Sequence, residues 1–421
     1  MADILLRKRQ LALRPETTKG TYETALDTDG TAVTHANFNL VNPSWTPGNL
    51  LFDRNIRHAT LSPFPQFSPG VATITLTHSV EITGHSDSTS DTYENEAPIG
   101  PLLTACGFES VIVNKIKINS WTTGSAFEHG ETVTGGTSGA TATIVGDVSE
   151  TFTTHLATAG DTRMFIDESS VSGTFQGENL IGTDSGVIAV GDAGEFGSHQ
   201  GWQLSSDDAT VDTLSGVYYE DGVRIKFKGA RGNVVFNFEH GKPPIATFTW
   251  TAIIHDIVDG ALLTSTLIKD LTPPAVLGID FRTTVTPGTT DIFQPTFNAM
   301  AVDMGMEVVL REDSSDADGY TYATIVGRAP TLTINPDKVV ELNNANLHDE
   351  FHNGTNSHIQ FIVGTTALNI WEFRIPSGQI TGLSDSDRDA VSSWDVTYAL
   401  NGGIQSSLQI GADSEITIVN R

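Results

Sequence analysis

Strict alternation of apolar and polar residues between Val223 and Ala252 constrains the fold more than any other feature of this sequence. A period of two is typical of β-strands that bury one face. In the run 223–228, valine, isoleucine and phenylalanine alternate with arginine and lysine, and the run 234–239 alternates in the same way. A third run, 246–252, alternates alanine, phenylalanine and tryptophan with threonine, after a break at Lys242-Pro243-Pro244. We therefore predict three neighbouring half-buried strands.

The glycine-rich stretch between the first two runs, 229–233, predicts a hairpin turn. A slip of one residue would move every side chain to the wrong face, so a single register suits both strands. In that register Phe227 pairs with Phe236 on the buried face, and Arg224 pairs with Glu239 on the solvent face. The same register pairs three further couples: Lys228 with Val235, Lys226 with Asn237, and Ile225 with Phe238.

Composition favours an all-β protein with short helices. The chain has 421 residues, enough for two or three domains, and is rich in glycine and threonine, with little helical periodicity. Its 23 basic and 51 acidic residues give a net charge of −28. This balance argues against stable binding to a nucleic-acid backbone and suits a surface that repels DNA.

The single cysteine, Cys106, excludes an intramolecular disulfide and is expected to be a small buried apolar residue. This favours assembly in a reducing cytosol. No apolar run approaches the length of a membrane span, and the apolar stretches near the N-terminus are too short for a signal peptide. We therefore expect no membrane partner.

Residues 1–35 are interpreted as an N-terminal arm, because Arg7, Lys8, Arg9 and Arg14 concentrate positive charge in an acidic chain. One alternative is a solvated tail. The other is an arm that docks on carboxylates of a neighbouring subunit, with these four residues as interface candidates.

The remaining chain divides into 36–270, a linker at 271–296 rich in proline and threonine, and 297–421. Both long segments predict strands, a short helix and a meander, so the second is interpreted as a further copy of the first architecture. Residues 122–201 are predicted to be an inserted small β domain facing outward. It contains an ungapped repeat, in which Gly130–Gly139 matches Gly177–Gly186.

The residues that could carry chemistry are not spaced as in known catalytic or metal-binding motifs. His348 and His352 lie four apart on a predicted helix and could share a metal, but the order His-Asp-Glu differs from the metalloprotease pattern. Two acidic loops, Asp313–Gly319 and Asp385–Asp389, are either solvated loops or weak calcium sites, and the first lacks the glutamate that ends an EF-hand loop. No nucleophile elbow, phosphate loop or Cys/His cluster occurs. We therefore expect no enzyme activity, no cofactor and no metal site.

The string YYEDGVRIKFKGARGNVVFNFEHGKPP with the following FTWTA resembles the central segment of siphophage-type major tail tube proteins. Pro101–Phe108 is similar to the short helix that precedes it in that family. Outside the insertion, the resemblance covers roughly the first two thirds of the chain. The whole layout resembles the branch with two tandem tube domains.

The resemblance implies two tube domains, each a β-sandwich or barrel, that close with their neighbours into a ring. It implies three chains in a pseudo-sixfold ring, or alternatively a hexamer. Stacked rings would enclose the tape-measure protein, meet tail terminator and tail tip proteins, and conduct DNA without specific binding. The location would be the virion tail, assembled in the host cytoplasm.

The alternative interpretation is a tandem β-sandwich adhesin or carbohydrate-binding module. Trp121, Trp202 and Trp371 would then be surface platforms for sugars.

Overall fold

The computed structural model describes residues 9–27, 36–37, 41–49, 51–54, 56, 64–69, 72–84, 97–124, 126–146, 148–149, 162–192, 198–261, 272–285, 293–339, 346–388, 390–402 and 413–421. Within them lie 25 strands and two short α-helices. The all-β prediction is therefore confirmed.

The strands fall into four groups along the chain. The first strands are β1 (Arg9–Pro15), β2 (Ala36–Asn37), β3 (Val41–Asn49), β4 (Ala72–Glu81) and β5 (Phe108–Thr123). The next are β6 (Ala126–Phe127), β7 (Thr132–Gly135), β8 (Thr141–Thr143), β9 (Val148–Ser149), β10 (Thr162–Asp167), β11 (Asn179–Gly182) and β12 (Ile188–Asp192). Then follow β13 (Ser198–Leu204), β14 (Leu214–Glu220), β15 (Val223–Glu239), β16 (Ile245–Asp259) and β17 (Asp280–Thr284).

The last group begins after the predicted linker. Its strands are β18 (Phe297–Asp303), β19 (Met306–Glu312), β20 (Tyr320–Arg328), β21 (Thr331–Pro336), β22 (Asn356–Val363), β23 (Trp371–Arg388), β24 (Val391–Asn401) and β25 (Thr417–Asn420). The helices are α1 (Gly100–Thr104) and α2 (Leu347–Asn353), and short 3-10 helices cover Thr24–Asp27 and Glu168–Ser170.

The central strand β15 corrects the predicted hairpin. Residues 223–239 form one strand instead of two, and it pairs along its length with β16. Phe227 is therefore opposite Ile254 and not Phe236, and Arg224 is opposite Val258 and not Glu239. The predicted faces are nevertheless right, because Ile225, Phe227, Phe236 and Phe238 are all buried.

The hairpin turn lies eight residues earlier, at Asp221-Gly222. Glu220 pairs with Val223 across it, and both turn residues have positive φ, 34° and 108°. This is the geometry of a two-residue hairpin of the primed type, for which Asp-Gly is a strong signal. The chain therefore reverses between β14 and β15.

The glycines of 229–233 serve a bulge and a close contact instead of a turn. Gly229 has φ +62°, and the register against β16 shifts between Lys228 and Arg231. A Cβ on Gly232 would lie 2.6 Å from the ring of Trp250. The bulge lets the apolar positions change from odd to even numbers while the same face stays buried.

Buried polar groups from distant segments hold this bulge. The carboxylate of Glu16 accepts hydrogen bonds from Gly229 N at 2.6 Å and from the hydroxyls of Thr213 and Ser215 at 2.5 and 2.8 Å. Arg231, 1 % exposed, donates to the carbonyls of Asp212 and Val211 at 3.0 and 2.6 Å. The Gly229 N–H in the bulge and the buried Arg231 guanidinium thus both have hydrogen-bond partners.

Eight strands form one continuous antiparallel sheet. Pairings run from β3 to β4, β16, β15, β18, β21, β24 and β23. The second layer includes the first part of β23 together with β22, β25, β13 and the first part of β5, whereas the last part of β23 belongs to the eight-stranded sheet. Phe236 and Phe238 of the sheet meet Phe373 and Phe361 of the second layer at centroid distances of 5.5 Å. The main core lies between these layers.

That core does not separate the two predicted tube domains. It contains residues from Leu11 to Ile418, and β25 from the end of the chain lies between β13 and β23. The predicted linker also holds β17, which pairs with β22. The division into two tube domains is therefore not confirmed as a division into two separate cores.

The insertion has its own core, as predicted, but it begins earlier than residue 122. Ile116 and Ile118 of β5 pack with Phe127, Val133 and Leu180. The strand β5 thus runs from the main body into the insertion, where β10 and β12 pair with it.

The two repeat copies pair with each other through β7 and β11. Glu178 accepts hydrogen bonds from Thr137 N and Ser138 N at 2.6 and 2.7 Å, and the equivalent Glu131 accepts from Ser185 N at 3.1 Å. Each repeat thus supplies a carboxylate that caps the turn of the other. This reciprocity explains why Gly-Glu and Ser-Gly recur at the same spacing.

The two predicted short helices are both present in the structure. α2 starts after Asn346, whose side chain accepts from Asp349 N at 3.0 Å, and ends at Gly354 with φ +63°. α1 ends at Thr104, earlier than the helix that the resemblance implies at Pro101–Phe108, although Gly107 has the positive φ of a terminating residue.

Candidate assembly surface

The two halves of the chain follow the same order of elements. In the first, β3 and β4 flank a loop and precede α1, and the long bulged β15 pairs with β16. In the second, β18 and β21 flank the hairpin β19–β20 and precede α2, and the long bulged β23 pairs with β24. In both halves the final strand pairs back to the strand before the helix, β16 to β4 and β24 to β21.

The halves are joined edge to edge by β15 and β18. Val235 is opposite Asp303, and Glu239 is opposite Ala299. The first part of β15 pairs on the same side with β14, so only the last part of the strand receives β18. The end of one half's long strand thus receives the first strand of the other half.

The strands equivalent to this pair are open at the two ends of the sheet. β3 corresponds to β18 and, within the described residues, pairs only with β4. The end of β23 corresponds to the end of β15. Residues Gly382–Arg388 pair with β24, and the part of the chain that the structure describes contains no strand on their other side. Unpaired edges of this kind favour pairing with another chain.

An apolar loop projects between β3 and β4. We define it as residues 51–54, 56 and 64–69, all of which are exposed. It carries Leu51, Phe52, Ile56, Phe64 and Phe67, which are 37–54 % exposed, and Phe52 bridges to Phe67. A cluster of exposed large apolar residues indicates a surface that other molecules cover.

The N-terminal candidates are only partly free for contacts between subunits. Arg9 and Arg14 belong to β1, which pairs with β14, so this part of the predicted arm is a strand of the fold. The Arg9 guanidinium pairs with Glu220 and donates to Pro43 O at 3.0 Å. Arg14 lies 3.7 Å from Glu23. Arg7 and Lys8 lie outside the described residues.

The candidates from the predicted hairpin have different partners from those expected. Arg224 donates to Ala261 O at 2.7 Å, and Lys226 pairs with Asp27 at 2.8 Å. Glu239 pairs with Lys242 at 2.6 Å, both more than half exposed. The structure therefore does not bring Arg224 and Glu239 together.

The candidate metal residues form no cluster. The rings of His348 and His352 are stacked with centroids 6.4 Å apart on α2. Among the described residues, no group of three or more histidine, cysteine, aspartate or glutamate side chains is placed to hold a metal. Hydrogen bonds from Ser315 to Asp313 lower the pKa of that carboxyl, and Lys338 pairs with Asp385. The acidic loops thus bind groups of their own chain.

Cys106 is fully buried, as predicted, and burial raises the pKa of its thiol. The predicted tryptophan platforms are not on the surface. Trp202 and Trp371 are 0 and 1 % exposed and stack with centroids 5.5 Å apart. Trp121 is half-buried against Phe127. Trp202 and Trp371 are thus core residues and not surface platforms, while Trp121 is only half-buried.

Sequence reasoning missed Glu16, the apolar loop and the open edges. Glu16 gives little local signal, because Thr213, Ser215 and Gly229 lie 197–213 residues away and only Gly20 is a local partner. The apolar loop had one, since phenylalanine and leucine recur among prolines at 51–67 without alternation. The open edges depend on the order of strands in the sheet, which periodicity does not fix.

Comparisons with known proteins identify no relative: no protein-family model matches the chain, and no curated protein is significantly similar to it. No helix among the described residues is long and apolar enough to cross a membrane.

Proposed function

We propose that the chain is the structural subunit of a phage tail tube. Three copies would form a pseudo-sixfold ring, in which each chain supplies two similar halves. Stacked rings would hold the tape-measure protein, meet tail terminator and tail tip proteins, and conduct DNA through the lumen without binding it specifically. The subunit would assemble in the host cytoplasm and remain in the virion tail.

The β15–β18 junction carries this proposal. It joins two halves of the same element order edge to edge, while the equivalent strands, β3 and the end of β23, are open at opposite ends of the same sheet. If a second copy repeats the junction, β23 of one chain receives β3 of the next. Such a contact is head-to-tail, and it generates a ring when the rotation closes.

The proposed contact needs little change in either chain. Antiparallel pairing at an open edge uses backbone groups that already point outward. Pro43 and Pro47 have no N–H to donate, and Pro43 O already accepts from Arg9, so the ladder would depend on the other residues of β3. In such a ring, each half would be the neighbour of the next half in one continuous sheet. This would explain why two halves with the same order of elements share one sheet instead of forming separate domains.

Charge and apolar surface support the same role. A net charge of −28 disfavours binding to DNA phosphates. The apolar loop would contact the next ring, because its five large side chains are 37–54 % exposed. Arg7 and Lys8 remain candidates for contacts with carboxylates of a neighbouring subunit.

Cross-linking tests the ring contact. Thr46 is exposed on β3, and Ser386 is half-exposed on the open part of β23. The variant Thr46→Cys with Ser386→Cys, treated with a short bis-maleimide, should give dimers and then a trimer as the largest covalent species. The native Cys106 is fully buried and should not react.

The single variants are matched controls, because a head-to-tail contact cannot link two identical cysteines. Dimers from Thr46→Cys alone would indicate a twofold contact and contradict the proposal. So would the absence of cross-links at concentrations at which the protein is assembled.

A further inference from the structure

A cleft of about 600 Å³ lies where the insertion meets the main body. Its walls come from α1, the first part of β5, β13 and the loop before β14, and from the end of β10 with the 3-10 helix Glu168–Ser170 of the insertion. A volume of this order is usual for a ligand site. The insertion and the main body thus both contribute to one opening at the surface.

Negative charge dominates this opening, which we call the acidic cleft. Glu109, Glu168 and Asp212 line it from three separate segments, and the described residues around it include no lysine or arginine. Among the described residues, no three such carboxylates are placed to share a metal ion. Burial raises the pKa of Asp212, and Lys19 and Arg231 offset this effect only in part. The acidic cleft therefore favours a ligand with separate cationic groups.

A buried amide in the acidic cleft adds a second requirement. Gln200 is 5 % exposed, and its Oε1 accepts a hydrogen bond of 2.9 Å from Ala97 N, which fixes the orientation of the amide. Gln200 lines the cleft, and its Nε2 has no hydrogen-bond partner in the part of the chain that the structure describes. A buried donor of this kind is stabilised by an acceptor, such as a peptide carbonyl. A basic peptide segment supplies both cations and carbonyls.

Residues 1–8 of this chain are such a segment. They carry Arg7 and Lys8 side by side in a protein with a net charge of −28, and they precede Arg9 at the start of β1. Cations on this segment complement the carboxylates of the cleft, and its backbone carbonyls complement the free amide donor. A simple inorganic cation would meet only the first requirement.

The acidic cleft of the same chain is too far away for these cations. Arg9 is opposite Glu220 and Pro15 is opposite Leu214, so the two ends of β14 lie about 20 Å apart. Asp212 comes just before Leu214, at the far end. The two cations stand within two residues of Arg9, and two residues of extended chain span only about 7 Å. The occupant of the cleft therefore comes from another copy of the chain.

The direction of β14 indicates which copy it is. In the proposed ring, the strands of the sheet are joined side by side, so the strand ends point towards the neighbouring rings. β14 pairs with the first part of β15 and shares its direction across the ring. Arg9 thus lies towards one face of the ring, and Asp212 lies towards the opposite face.

We infer that residues 1–8 of one chain bind in the acidic cleft of a chain in the next ring. Arg7 and Lys8 would meet the three carboxylates, and a backbone carbonyl would accept from Gln200 Nε2. The inference rests on the proposed function, and it adds which surface receives the basic segment and how consecutive rings are joined.

Cross-linking between rings tests this contact. Ser110 is exposed and lines the acidic cleft, and Leu6→Cys leaves both cations in place. The variant Leu6→Cys with Ser110→Cys, treated with a short bis-maleimide after polymerisation, should give a ladder of covalent species longer than three chains. A head-to-tail contact between rings does not close on itself, whereas a contact within the ring ends at a trimer.

Leu6→Cys with Thr183→Cys is the matched control, because Thr183 is exposed on the insertion away from the cleft. It should give no ladder, and the buried Cys106 should not react in either variant.

Charge reversal then tests the partners. In the cross-linking variant, adding Arg7→Glu and Lys8→Glu should lower the yield of the ladder about tenfold at low salt, since two or more exposed ion pairs are lost. Adding Glu109→Lys and Glu168→Lys to that variant should restore the yield, because reversed charges on both sides attract again. Failure of this restoration would assign the cations to other carboxylates and overturn the inference.

A ladder that ends at the trimer, or cross-links within single chains, would also overturn the inference. So would tubes that sediment normally but give no cross-links from Leu6→Cys with Ser110→Cys, and this result would leave the proposed function standing. A chain that forms no tubes at any concentration would contradict the proposed function itself, and the inference with it. Sedimentation therefore distinguishes the two failures.

Discussion

The carboxylate of Glu16 accepts a hydrogen bond of 2.6 Å from the backbone N–H of Gly229, across 213 residues of sequence. This contact fixes the bulge in β15, and the bulge lets the strand serve two neighbours in turn. Before it, β15 pairs with β14, and after it with β18 of the other half. A single buried acid thus supports the strand on which both halves depend.

Replacing Glu16 with alanine should therefore destabilise the fold. The change leaves Gly229 N, Gly20 N and the hydroxyls of Thr213 and Ser215 without their buried acceptor. We expect a loss of about 2–4 kcal/mol in the free energy of unfolding, because several buried donors lose their partner. Urea unfolding followed by tryptophan fluorescence measures it. The exposed Glu312→Ala is the control and should change stability by less than about 0.5 kcal/mol; equal effects of the two variants would contradict this role.

Acid should weaken the insertion through Glu178. Burial acts to raise the pKa of this carboxyl, but hydrogen bonds from Ser138, Gln176 and Thr137 outweigh it and lower the pKa from 4.5 to about 2. A group whose pKa is lowered by folding stabilises the fold above its ordinary pKa and loses that effect as the pH falls. We expect the insertion to lose stability between about pH 4.5 and pH 2.

Hydrogen exchange at the amides of Thr137 and Ser138 follows this loss locally. In Glu178→Gln the protection factors of these two amides should depend less on pH across the same range, because the variant lacks the titrating carboxyl. Unchanged pH dependence in that variant would assign the effect to other carboxylates.

The apolar loop should be needed for polymers but not for the fold. Phe52 and Phe67 are 50 and 54 % exposed, so changing both to serine should alter the free energy of unfolding by less than about 0.5 kcal/mol each. Light scattering should show that long polymers no longer form. The double variant lacks the two phenyl rings that would pack against the next subunit. Leu277→Ser, at 56 % exposure, is the control and should assemble normally. Polymers of ordinary length from the double variant would assign stacking to another surface.

Removing the insertion should leave assembly intact only if the apolar residues of β5 that the insertion covers are replaced as well. Ile116 and Ile118 of β5 belong to the insertion core, and β13 pairs with the first part of β5. Replacing residues 126–192 with a short Gly/Ser linker should therefore expose both isoleucines and cause aggregation. The same deletion with Ile116→Thr and Ile118→Thr should give soluble chains that still form tubes, thinner in electron micrographs. Folded chains that never assemble would show that the insertion carries subunit contacts.

The alternation in the sequence predicted burial correctly but connectivity incorrectly. Ile225, Phe227, Phe236 and Phe238 are buried as expected, since side-chain parity is a local property of a strand. The turn was misplaced because glycine serves turns, bulges and close contacts alike. Only the distant Glu16 and the ring of Trp250 decide between these uses at Gly229 and Gly232.

Of the candidate assembly surface, the sequence predicted only the cluster of basic residues near the N-terminus. An arm built from Arg7, Lys8, Arg9 and Arg14 follows from composition, but composition does not show that β1 pairs with β14 or that Arg9 meets Glu220. The open edges of β3 and β23 can be recognised only when the pairing of every other strand is known. Edges are a property of the whole sheet, so one segment of sequence does not reveal them.

End-on electron micrographs of the purified, assembled protein test the central claim most directly. The proposal predicts rings or short tubes with an open centre, threefold symmetry, and six similar units around the lumen, because each of three chains supplies two halves. Dispersed monomers at every concentration, or closed particles without a central channel, would contradict it.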